Sequence, residues 1–200
     1  MIAGLVRLLT GAQARWEGAT PEPVQRIYFA NHTSHLDFPV IWASLPDALR
    51  ARTRPVAARD YWDATRLRRY LARDVFRAIM IDRNRAAGRD NPLRPMEEAL
   101  EAGDSLIIFP EGTRSLDEDA GLNPFKPGLF HLARLFPQVQ LVPVYLENLN
   151  RILPKGEFIP IPLLAAVIFG APIQVLPGED KRAFLERARA AVARLEDIEA

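Results

Sequence analysis

His32 and Asp37 stand five positions apart in the string Asn31-His32-Thr33-Ser34-His35-Leu36-Asp37. Imidazole has the unperturbed pKa nearest neutrality, which suits a general base. With His32 in a loop and Asp37 in the first turn of a helix, the carboxylate can receive the imidazole Nδ1–H. It would then fix the tautomer, aim Nε2 outward and stabilise the imidazolium that forms. A second string, Phe109-Pro110-Glu111-Gly112-Thr113-Arg114-Ser115, offers anion recognition. Gly112 permits close backbone approach, Thr113 supplies a hydroxyl, and Arg114 carries a planar fork matched to phosphate. Glu111 can hold Arg114 or accept from a substrate hydroxyl. Arg83 follows the apolar run Ala78-Ile79-Met80-Ile81 and can point into the same crevice. Lys126 precedes a helix whose N-terminus favours an anion. The chemistry is proton abstraction beside an anion. Residue types alone leave two other readings open: a helix cap next to an ordinary surface histidine, and a metal site of His32, His35 and Asp37.

The chain has no cysteine and no G-x-S-x-G string, and Ser34, Ser44, Ser105 and Ser115 lack the context of a nucleophile. The histidine is therefore expected to activate a substrate hydroxyl rather than an enzyme nucleophile.

The elements that must position these residues follow from hydrophobic periodicity. Ile27-Tyr28-Phe29-Ala30 and Leu106-Ile107-Ile108-Phe109 are short apolar runs that lead into the two strings and predict buried strands. Strand ends in an α/β sheet are where polar groups converge on a ligand. Further strands are expected at 55–58, 78–81, 140–146, 167–169 and 173–175. Helices are expected at 38–44, 65–73, 92–102, 128–136 and 179–197. Such alternation predicts a single-domain α/β fold with a mixed, mostly parallel sheet flanked by helices. Over residues 2–16, Ile2, Leu5, Val6, Leu9 and Trp16 fall near one helical face. That amphipathic helix would pack on the domain or lie in a membrane interface. The expected division is an N-terminal helix within 1–20 and the main domain over 21–200.

Composition bounds the rest. Apolar residues make up 48% and charged residues 26% of 200, ordinary for one globular core. The net charge of +1 hides an uneven layout: twelve arginines and five aspartates lie between Arg52 and Arg94, without Lys or Glu. Such a face can meet phosphate, nucleic acid or anionic headgroups, or can simply be solvated. The lack of cysteine excludes disulfides, thiol catalysis and zinc–thiolate sites. Arg7 breaks the first apolar stretch, so no signal-peptide layout is expected. The uncharged stretch 158–176 is cut by Pro160, Pro162, Gly170 and Pro172, against a spanning helix.

Four blocks in order resemble the 1-acyl-sn-glycerol-3-phosphate acyltransferases and the wider glycerolipid acyltransferase superfamily. They are Asn31-His32 through Asp37, Phe76 through Arg83, Phe109 through Ser115, and Val142-Pro143-Val144-Tyr145. Phe125-Lys126-Pro127-Gly128 and Phe169-Gly170-Ala171-Pro172-Ile173 are similar to the family as well, so the resemblance covers about 26–176. It implies transfer of a fatty acyl group from a thioester to a lysophospholipid hydroxyl, with 1-acyl-sn-glycerol-3-phosphate giving phosphatidic acid. His32 would be the base and Asp37 its orienting partner. Arg83, Glu111, Gly112, Thr113 and Arg114 would bind the acceptor, with Lys126 as a further phosphate ligand. The resemblance implies no metal and no cofactor, the donor being acyl-CoA or acyl carrier protein. It implies a membrane surface as partner, with peripheral or monotopic residence on the cytoplasmic face, and no nucleic acid. Family members often begin with a longer hydrophobic segment than this chain carries. Three other readings remain at this point. One is an acyltransferase or transacylase acting on another lysolipid. The second is an anionic-lipid or nucleic-acid binding module, which leaves His32 and Asp37 unexplained and has few stacking aromatics beyond Tyr61, Trp62, Tyr70 and Phe76. The third is a metal-dependent hydrolase.

Overall fold

Alternate residues of the apolar runs serve opposite faces of one sheet. In the computed structural model, which describes residues 2–82, 91–114, 121–147 and 165–198, Tyr28 and Ala30 of strand β2 (Arg26–Ala30) join one core and Ile27 and Phe29 the other. Strand β5 (Ser105–Ile108) divides likewise, Ile107 to the first core and Leu106 and Ile108 to the second. Two covered faces explain why these strands read as unbroken apolar runs rather than as an alternation.

The remaining strands are β1 (Gln13–Glu17), β3 (Thr53–Ala58), β4 (Ile79–Ile81), β6 (Gln140–Glu147) and β7 (Ala166–Gly170). They form a seven-stranded sheet in the order β1-β7-β6-β2-β5-β3-β4. Every pairing is parallel except β6 with β7. The expected mixed, mostly parallel sheet is what the chain adopts. Helices α1 (Ile2–Thr10) and α2 (Asp37–Ser44) lie over the first core. The second core lies beneath α6 (Arg94–Glu101), α7 (Gly128–Leu135) and α8 (Lys181–Ala193). Short helices α3 (Asp47–Arg50), α4 (Arg59–Trp62) and α5 (Arg66–Tyr70) fill the connections around β3.

Three expectations are corrected. The N-terminal helix does not run to Trp16: it stops at Thr10, Gly11 turns with φ +59°, and β1 takes the sheet edge in register with β7. Edge hydrogen bonds and the stacking of Trp16 on Phe169, centroids 4.1 Å apart, outweigh helical spacing there. Residues 173–175 are not a strand. Only Ile173 bridges Leu141. The Arg-rich helix is not α-helical throughout: α5 passes into one π-helical turn at Leu71–Val75. That turn ends at Arg77, whose φ is +52°, with the Ala78 N–H donating back to the Ala72 carbonyl at 2.7 Å. Residues 158–164 of the uncharged stretch lie outside the described residues.

Candidate active site

The base loop begins where β2 ends, and Asn31 sets its starting point. The Asn31 Nδ2 donates to the Leu146 carbonyl at 3.0 Å, and its Oδ1 accepts from the Leu146 N–H at 2.8 Å. A side chain thus extends the pairing of β2 with β6 after the backbone has turned away. The loop then wraps around Asp37, the first residue of α2 and completely buried. Asp37 Oδ2 accepts from His32 Nδ1 at 2.7 Å, from the Thr33 N–H at 2.7 Å and from the Ser34 N–H at 2.9 Å. The positive end of α2 adds to the stabilisation of that buried carboxylate. With Nδ1–H committed to Asp37, the neutral ring presents the Nε2 lone pair.

The second string meets the first at the neighbouring strand end. The Phe109 ring stacks on the His32 imidazole with centroids 4.3 Å apart. The Gly112 N–H closes the turn on the Phe109 carbonyl at 3.0 Å, with Gly112 at φ +72°. A Cβ at Gly112 would overlap the Lys126 ammonium, so the lysine lies across the turn where a side chain is missing. The Lys126 backbone N–H is held on the Pro110 carbonyl at 2.8 Å. Arg114 is half-buried and has no ion pair among the described residues, while Thr113 is exposed.

Glu111 does not hold Arg114. Its carboxylate is buried, and its oxygens accept from the His32 N–H at 2.9 Å, the Asn123 N–H at 3.0 Å and Asn123 Nδ2 at 2.9 Å. No spacing rule pointed to Asn123. Arg83 and Ser115 lie outside the described residues.

His32, Gly112 and Lys126 line one cavity of about 430 Å³ together with Phe38, Met96, Leu129 and Leu132. Its wall is mostly apolar, with His35, Tyr61 and Asp82 as further polar groups, the usual make-up of a small-molecule site. His35 lines the same cavity and stacks on Tyr61 with centroids 3.4 Å apart. Among the described residues no group of three or more His, Asp and Glu side chains can hold a metal. The Arg-rich surface is partly folded onto its own aspartates: Arg59, Arg69 and Arg73 surround Asp63, and Arg54 and Arg77 approach Asp104. The arrangement can take a proton from a hydroxyl next to a cationic turn, at an apolar cavity.

Residues 17–147 match the family model described as Acyltransferase. A protein of Limnanthes douglasii named 1-acyl-sn-glycerol-3-phosphate acyltransferase is 32% identical over 178 residues, covering 86% of this chain and 59% of that protein. One of the same name from Cocos nucifera is 27% identical over 184 residues, covering 87% of this chain and 56% of that one. The chain thus spans under two thirds of the length of these curated relatives. The crystal structure of the 1-acyl-sn-glycerophosphate acyltransferase PlsC from Thermotoga maritima superposes with a TM-score of 0.73 at 22% identity, over 100% of this chain and 77% of that one.

Proposed function

We propose, from the premise that this chain belongs to the acyltransferase family, that it is an O-acyltransferase moving a fatty acyl group from a thioester to a lysophospholipid hydroxyl. The observation that carries the reading is the 2.7 Å contact of His32 Nδ1 with buried Asp37, at a mostly apolar cavity beside Gly112 and Lys126. The relatives' names make 1-acyl-sn-glycerol-3-phosphate the proposed acceptor, and phosphatidic acid the product.

In the proposed reaction, His32 Nε2 removes the proton of the acceptor hydroxyl as its oxygen attacks the thioester carbonyl. Asp37 stabilises the imidazolium, at about 10²–10⁴-fold in rate for such a base. The tetrahedral intermediate collapses with cleavage of the C–S bond. The imidazolium returns its proton to the departing thiolate, and the ester and free thiol leave. Arg114, Thr113 and Lys126 receive the acceptor phosphate, with Arg83 as a further proposed ligand. Gly112 leaves room for that approach. The apolar walls formed by Met96, Leu129 and Leu132 suit a fatty chain. The donor is acyl-CoA or acyl carrier protein, and the scheme needs no cofactor.

The proposed workplace is a membrane surface, reached peripherally from the cytoplasmic side. No helix among the described residues is long and apolar enough to cross a bilayer. Helix α1 packs Ala3 and Val6 inward and is tethered by Arg7, whose Nε donates to the Ala43 carbonyl at 2.6 Å. Its other side shows Leu5, Leu8 and Leu9, with Leu8 80% exposed. That division suits a helix packed on its domain and wetted by lipid on the outside.

Purified protein incubated with labelled acyl-CoA or acyl carrier protein and a panel of lysolipids tests the proposal. Labelled phosphatidic acid from the lysophosphatidate reaction is the expected product. Labelled product only from another lysolipid would reassign the acceptor, and none from any would overturn the reading.

A further inference from the structure

We propose that Asn123 is a positioning residue for the base, acting through Glu111. The inference rests on the acyl-transfer reading only for its kinetic consequence. Glu111 belongs to the anion turn, yet its carboxylate accepts from the backbone N–H of His32 at 2.9 Å. It thereby ties the base loop to the turn carrying Gly112 and Arg114. The side chain is only 3% exposed, so its charge must be satisfied by fixed donors. Asn123 supplies two of them to the other oxygen, its N–H at 3.0 Å and its Nδ2 at 2.9 Å.

The amide therefore does more than fill space. Asp37 fixes the orientation of the His32 ring, but it does so from the start of α2, into which the same loop runs. Beyond the stacking of Phe109 on the ring, Glu111 fixes the position of that loop relative to the anion turn. Loosening Glu111 leaves the ring and its tautomer intact while letting the base drift from the turn that would hold the acceptor. Sub-ångström misplacement of this kind lowers turnover more than binding.

Two variants separate a donor from a spacer. Asn123→Ala removes the amide, whereas Asn123→Asp keeps its shape and puts a carboxylate against Glu111. Amide hydrogen exchange on the intact protein reads the clamp without reference to activity. Protection of the His32 N–H should fall about tenfold or more in Asn123→Ala, the scale of one hydrogen bond to a charged acceptor. It should fall further in Asn123→Asp, while the β2 amides keep their protection. Unchanged His32 protection in both variants, or wild-type protection in the isosteric Asn123→Asp, overturns the proposal. In the acyl-transfer assay, kcat should fall about tenfold in Asn123→Ala with the KM of either substrate little changed. Full kcat despite lost protection would also overturn the positioning role. A wild-type protein inactive on every lysolipid would instead sink the acyl-transfer reading, and the exchange result would still decide the clamp.

Discussion

At the scale of single residues, the strongest expectation concerns His32, because its Nδ1 is committed to Asp37 and one nitrogen remains for chemistry. His32→Ala should lower turnover by about 10²–10⁴-fold with the fold intact. Asp37→Asn should be similarly crippled, since an amide can present its NH₂ to Nδ1 and favour the wrong tautomer. Steady-state kinetics on variants with wild-type circular dichroism checks both, and near-wild-type turnover of His32→Ala would falsify direct transfer. Arg114→Ala removes a fork whose charge-assisted bonds are each worth roughly 1.5–3 kcal/mol. Its loss should raise the KM for phosphate-bearing acceptors and leave the donor KM nearly unchanged. A change in donor KM alone would mean that the two substrates occupy exchanged pockets. His32, Asp37 and the 109–114 turn were legible because their types and spacing point to the proposed chemistry. The role of Glu111 was not, since its partners are a backbone N–H at 32 and an asparagine at 123.

At the scale of elements, the π-helical turn at Leu71–Val75 ends in a conformation that favours glycine, yet Arg77 occupies it at φ +52°. Its guanidinium, itself exposed, gains the Ala51 carbonyl at 3.2 Å and lies 4.0 Å from Asp104. Surface contacts of that kind contribute about 0–1 kcal/mol. Relief of the left-handed backbone, about 1 kcal/mol, should therefore win in Arg77→Gly. The urea midpoint should rise slightly; a fall would show that the guanidinium contacts outweigh the strain. Element type was readable wherever an apolar period was uninterrupted, as in β2, β5 and α6. It was misread at 13–17, where partnership with β7 and the stacking of Trp16 on Phe169 decided the conformation.

At the scale of the whole molecule, charge and apolar exposure set how the protein meets its surroundings. Leu5, Leu8 and Leu9 on α1 and Leu67 and Tyr70 on α5 are exposed large apolar residues, and the arginines of α5 accompany them. Each leucine contributes at most about 1.5–3 kcal/mol if fully buried, and less at an interface. Replacing Leu5, Leu8 and Leu9 by serine should reduce flotation with anionic vesicles, and high salt should reduce that of the intact protein. Equal flotation of both proteins, insensitive to salt, would place the anchor elsewhere. Acid stability follows the ion pair of Arg187 on α8 with Glu179 just before that helix. Arg187 Nη2 lies 2.7 Å from Glu179 Oε2, and its hydrogen bonds hold the Glu179 carboxyl below the ordinary 4.5. A depressed carboxyl stabilises the fold above its unfolded pKa and loses that contribution as pH falls through its folded value. The stability deficit of Arg187→Ala should therefore be full near neutrality and shrink below pH 4.5. Denaturant midpoints across that range check it, and a deficit that stays constant into acid would count against the pair.

The sequence by itself determined the class of fold, the strands that end at the site, the proposed base with its carboxylate and the cationic turn. Those features reside in local period and in short strings whose residues act on near neighbours. Tertiary structure alone decided which strand ends lie side by side, and hence that Phe109 stacks on His32. It also placed Lys126 across the space left by Gly112 and gave Glu111 to His32 and Asn123 instead of Arg114. The contacts of Phe109 and Glu111 with His32 join segments far apart in the chain and exist because the sheet order sets β5 next to β2, a pairing that no local pattern encodes. Those of Glu111 with Asn123 and of Gly112 with Lys126 depend on how the connection from β5 to α7 folds back on itself.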